Sequence, residues 1–198
     1  MISTEHKPRN AGFTLTELIV VIAMISVLVT IATPYYLDWL RNAKYREGAQ
    51  AVTSLLREAR SRAIAEHREY RVVFNAAPDS PQAPSTMQLQ GGNLSYNSSS
   101  WPIMETPVTL PENLDIRYRS SCTLNVAAQS VLFLPSGAAS ATAAIEASSP
   151  DLGGICIIDG DSAIAALNDR KKYLVEMVSP TTGAFKVRKW SASSTSFQ

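Results

Sequence analysis

Apolar and polar positions along this chain follow three successive patterns. From Phe13 to Leu37, FTLTELIVVIAMISVLVTIATPYYL is apolar almost throughout, with Glu17 as its single charged side chain. Read as a helix, about 25 residues extend roughly 37 Å, enough to cross a bilayer's hydrocarbon layer with some tilt. From Asp38 to His67 the apolar positions thin to a stripe. Tyr45, Ala49, Val52, Leu56, Ala59 and Ala63 recur at spacings of three and four, with Leu55 widening the stripe, the period of a helix with one buried face. Lys44, Arg46, Arg57, Arg60, Arg62 and Arg68, interspersed with Glu47, Glu58 and Glu66, fall mostly off it and read as a solvated face.

After the helix the period drops to two. The alternation predicts strands at Tyr70–Phe74, Met87–Gln90, Leu114–Arg119, Val131–Leu134, Ile155–Ile158, Tyr173–Val178 and Phe185–Lys189. In LDIRYR, Leu114, Ile116 and Tyr118 share one face and Asp115, Arg117 and Arg119 the other. YLVEMV and FKVRKW flank SPTTGA, so Pro180 and Gly183 fall in a hairpin turn. Pro/Ser/Asn-rich loops separate the other strands. The fold class is α+β, a long N-terminal helix packed on an antiparallel β-sheet head. Its expected divisions are a leader at 1–12, a transmembrane helix half at 13–37, an amphipathic helix half at 38–69 and a β-rich head at 70–198.

Pro34 lacks the amide hydrogen that an i→i−4 bond needs, and Thr30 and Thr33 can bond locally instead. Two expectations stay open there: a kink or melted turn, and a tolerated proline near the membrane exit.

Composition is that of a folded protein, 45% hydrophobic and 18% charged, with a net charge of +1. A chain so near neutral is not built over its whole surface for nucleic acid. Its two cysteines, Cys122 and Cys156, lack CxxC spacing, and neither His6 nor His67 lies near them; zinc is not expected. An exported domain would pair them as a disulfide, and two buried thiols are the other reading.

Lys7 and Arg9 precede the apolar run and hold that end in the cytoplasm, leaving the bulk of the chain outside. A secretory signal cleaved near Ala32 and a plain single-pass anchor would both use such a run. Neither needs an acid at its head. NAGFTLTELIVVIAMISVLVTIATPYY resembles the type IV prepilin signal. The resemblance implies cleavage between Gly12 and Phe13 by a prepilin peptidase, which also methylates the new amino terminus of Phe13. It gives Glu17 and Pro34 roles in assembly, with Glu17 neutralised by a neighbouring subunit's Phe13 amine. An unpaired carboxylate at membrane depth is costly, so docking against that amine would set the register of a filament.

LLREARSRAIAEHREYRVVF and VLFLPSGAAS are similar to the corresponding segments of the GspH/FimT minor pilins and pseudopilins. That resemblance implies a structural subunit, not an enzyme, that primes or caps a type IV pilus or type II secretion filament. Its partners would be other minor and major pilins or pseudopilins, the prepilin peptidase and an inner-membrane assembly platform. The chain would sit in a bacterial inner membrane with its C-terminal domain in the periplasm. No cofactor is implied.

Catalytic motifs are missing from the sequence: it has no GxSxG, no HExxH and no phosphate-cradling glycine loop. Asp159 and Asp161 in DGD suit a turn better than a calcium loop. Trp101 beside Pro102 reads as a half-buried loop anchor or an exposed contact. Residues 170–198 hold Arg170, Lys171, Lys172, Lys186, Arg188 and Lys189 against Glu176 alone, and Trp190 follows. Alternation puts Lys186 and Arg188 opposite Phe185 and Val187. Such a hairpin could hold DNA by phosphate contact and stacking, as in those FimT-type pilins that take up DNA through a GRxR motif; GAFKVRKW matches it in part. A solvated sheet face is the alternative.

Overall fold

The computed structural model describes residues 13–75, 85–118, 122, 128–141, 154–160, 167–191 and 193–198. One helix, α1 (Leu15–Glu66), is followed by β1 (Tyr70–Asn75), β2 (Thr86–Gly91), β3 (Val108–Thr109), β4 (Leu114–Tyr118), β5 (Ala128–Phe133), β6 (Ala139–Ala141) and β7 (Gly154–Asp159). A short helix α2 (Leu167–Arg170) then leads into β8 (Lys171–Ser179), β9 (Ala184–Ser191) and β10 (Ser196–Phe197). The layout is α+β and pilin-like, a long N-terminal helix with antiparallel sheet. By internal contacts the chain divides into two units, Met1–Asn42 and Ala43–Gln198, and α1 contributes to both.

In the first unit every described side chain from Phe13 to Asn42 is exposed. This part of α1 is long and apolar enough to cross a membrane. The helix runs through Pro34 without a break, so the melted turn is not observed. Hydroxyls here bond back to the helix: Ser26 Oγ donates to Ile22 O at 2.8 Å, Thr30 Oγ1 to Ser26 O at 2.8 Å and Thr33 Oγ1 to Val29 O at 2.7 Å. These hydroxyls donate to carbonyls other than Thr30 O, so they do not replace the bond that Pro34 cannot donate; the helix simply carries on past it.

The second unit places its strands in two antiparallel sheets of five, ordered β3-β2-β1-β5-β6 and β10-β9-β8-β7-β4. The expected antiparallel head is thus built from two sheets. Every residue of the predicted helix stripe is buried, Tyr45 to Ala63, joined by Gly48 and Thr53. They pack into one core with Tyr70, Val72, Phe74, Val131 and Phe133 of the first sheet and Ile116, Tyr118, Ile155, Ile157 and Val175 of the second. Burying each such side chain contributes about 1.5–3 kcal/mol, so this shared core holds both sheets to the helix. β7 is buried on both faces: Ile155 and Ile157 enter this core, while Cys156 and Ile158 join Cys122 and Leu174 in a smaller cluster with Phe197 packed on it.

The helix ends where His67 takes a left-handed φ of 50°, and Ser95 Oγ caps its carbonyl at 2.7 Å. Two turns connect the sheets. Gly137 (φ 82°) closes the LPSG turn by donating to Leu134 O at 2.9 Å, and Ala139 N donates to Pro180 O of the β8–β9 turn at 2.7 Å. β3, β6, β10 and α2 were not anticipated, since elements of two to four residues carry no period. Arg119, at the end of the third expected strand, lies outside the described residues.

Candidate functional site

Two regions were singled out by the sequence, the helix start and the basic hairpin. At the helix start Thr14 is the N-cap and Glu17 the third helical residue. Thr14 Oγ1 accepts from Glu17 N at 3.3 Å, while Glu17 Oε2 faces Thr14 N at 3.5 Å and Thr14 Oγ1 at 3.4 Å. This is a reciprocal capping box, loosely closed. The T-x-x-E spacing of Thr14 and Glu17 signals it in the sequence. Glu17 also sits at the positive end of the helix dipole. Within the single chain Glu17 is exposed. Phe13 beside it is 84% exposed; Gly12 lies outside the described residues.

The basic hairpin is less open than its composition suggests. Arg170 is buried, and its Nε donates to Asp159 O at 2.8 Å. Arg188 Nε lies 2.7 Å from Oε2 of Glu176, itself buried. That pair was missed because it forms across two strands, where Glu176 opposes Lys186 and Arg188 opposes Leu174, a diagonal that strand period alone does not reveal. Lys171 Nζ stands 4.6 Å from the centre of the Trp190 ring, and Lys172 Nζ 5.2 Å from that of Tyr45. Trp190 also meets Phe197 edge-on at 4.9 Å, so its ring has two neighbours within the head. Lys186 and Lys189 remain exposed. Phe185 packs toward the core against Phe133, but Val187, expected on the same covered face, is 39% exposed.

Cys122 and Cys156 are joined in a disulfide with their Cα atoms 5.6 Å apart, and both are fully buried. Trp101 is the half-buried anchor of its loop: Nε1 donates to Ser98 O at 3.1 Å, and the Arg71 guanidinium sits 4.3 Å from the ring centre. Glu69 organises that loop from below. This buried acid accepts the amides of Asn97 at 3.0 Å and Ser98 at 2.8 Å. Among the described residues no group of three His, Cys, Asp or Glu is placed to hold a metal ion. Asp161 of the DGD turn lies outside them.

At the mouth of α1, the Glu66 carboxyl is held below its ordinary range by hydrogen bonds from Tyr70 and Arg68. Burial raises the Tyr70 phenol, as does its contact with Glu66. Tyr118 is raised more strongly, by burial and by the nearby Asp115 charge. These shifts belong to structural contacts, and none lies in a cleft with a nucleophile.

A family model described as the prokaryotic N-terminal methylation motif matches residues 7–33. The matched stretch covers Lys7, Arg9, Gly12, Phe13, the capping box and the apolar helix as far as Thr33. No solved structure matches the chain.

Proposed function

We propose that this chain, which carries the N-terminal methylation motif of type IV pilin-like proteins, is a minor pilin or pseudopilin of the GspH/FimT kind. It is cut between Gly12 and Phe13, methylated on Phe13, and drawn from the inner membrane into a short filament that it primes or caps. The single observation that carries this reading is the coincidence of the motif at 7–33 with a fully exposed apolar helix that continues into a β-rich head. An acid at the head of an exposed apolar helix is unstable in lipid and stable once a neighbour's amine meets it. Glu17 therefore favours lateral assembly over residence in the bilayer. The motif points to a structural protein, and the work assigned to its residues is packing and pairing rather than bond-making.

The partners on this reading are the prepilin peptidase, other pilin or pseudopilin subunits, and the platform that extracts them. Sheared surface pili should be quantified in an in-frame deletion strain and in the complemented strain. Loss of pili that the gene restores supports priming of a pilus. Unchanged pili together with retained exported enzymes would refute a pilus role and place the subunit in a secretion filament.

A further inference from the structure

The exposed aromatic residues at the far end of the apolar helix have no role in the reading above. Tyr35, Tyr36 and Trp39 are 75%, 60% and 64% exposed, and Tyr36 and Trp39 stack at 6.1 Å between ring centres. Leu15 to Pro34 is a run of 20 residues, which as helix rises about 30 Å, the thickness of a hydrocarbon layer. If Leu15 enters that layer at one face, the three aromatic rings emerge at the other. Rings with an apolar body and a hydrogen-bonding tip prefer that depth. Arg41, one half-turn further, is exposed as well, and its guanidinium reaches lipid phosphate from there.

We propose that Tyr35, Tyr36, Trp39 and Arg41 form an interfacial collar that binds the phospholipid headgroup layer and fixes the depth at which the chain waits before assembly. This rests on the membrane-anchored reading of residues 13–37. Phenol and indole groups hydrogen-bond the glycerol and phosphate oxygens, while the rings lie among the upper acyl carbons. The collar acts as a stop. Without it the helix, whose apolar side chains continue through Leu37 and Leu40, would settle deeper by about one turn.

The test uses the full chain in bilayers of phosphatidylethanolamine and phosphatidylglycerol, with a membrane-impermeant maleimide. Both native cysteines are bonded, so single thiols introduced as Thr33→Cys, Leu37→Cys, Leu40→Cys and Asn42→Cys report depth. In the parent, labelling should switch on between Leu37 and Leu40. In the Tyr35→Leu/Tyr36→Leu/Trp39→Leu background, which keeps the surface apolar and does not touch the head, it should switch on about one turn later, with the Leu40→Cys rate falling at least tenfold. An unchanged profile overturns the collar. Labelling at Thr33→Cys equal to that at Asn42→Cys in the parent would overturn the membrane span itself, and the collar with it.

Discussion

The Tyr45 hydroxyl donates to Asp159 Oδ2 at 2.6 Å across 114 residues of sequence, joining the first buried position of the helix stripe to the end of β7. Arg170 Nε binds the carbonyl of the same Asp159 at 2.8 Å. Helix, sheet and α2 thus meet at one residue. Tyr45→Phe removes a charge-assisted bond from a nearly buried group, and such bonds contribute about 1.5–3 kcal/mol. We expect urea unfolding of the head to shift by about that amount with its slope unchanged; a loss under 0.5 kcal/mol would count against the tie.

A second prediction concerns the turns that join the two sheets. A Cβ at Gly183 would lie 2.5 Å from Gly137 O, and Gly183 has φ 58°. Gly183→Ala meets both a backbone clash and left-handed strain, together about 2 kcal/mol or more. Gly183→Asn tolerates the conformation better but not the contact. If both variants melt within a degree of the parent, the turns do not touch as described.

The disulfide closes a loop of 34 residues by sequence separation, for which chain entropy gives about 3–4 kcal/mol. Cys122→Ala/Cys156→Ala should lose most of that. Because both sulfurs are buried, a mild reductant should leave the folded protein bonded and reduce it only with denaturant present. Rapid reduction of the native protein, followed by mass spectrometry after alkylation, would contradict that burial.

Alkaline pH supplies a fourth test. Tyr118 and Tyr70 hold their protons more tightly folded than unfolded. Between the two values the unfolded chain binds fewer protons, so stability is full below about pH 10 and falls as pH rises beyond it. The Tyr118 hydroxyl is buried with no hydrogen-bond partner among the described residues. Tyr118→Phe should therefore be neutral or stabilising at pH 7 and should flatten the alkaline decline. Denaturant midpoints from pH 7 to 11 check both parts, and an unchanged alkaline slope would contradict the assignment.

Legibility of the sequence divides along physical lines. The helix stripe from Tyr45 to Ala63 was fully readable, because a three-to-four spacing over many residues has one structural meaning. The seven longer strands were readable for the same reason at period two, whereas β3, β6 and β10 are too short to show it. Gly48 and Thr53 escaped notice although both are buried, since small and hydroxylic residues carry no hydrophobic signal; Thr53 hides its hydroxyl by donating to Ala49 O at 2.7 Å. In the hairpin, counting charges located the cations of residues 170–198 but not their partners. Arg188 with Glu176 and Lys171 with Trp190 depend on strand pairing that a linear count does not contain. The capping role of Thr14 was legible in its spacing to Glu17.

The measurement that bears most directly on the account is the amino terminus of the chain after co-expression with a prepilin peptidase in membranes. Intact mass and terminal sequencing should find Phe13 first, carrying one added methyl group. A chain that keeps Met1, or one cut near Ala32, would contradict the processing on which the filament reading depends.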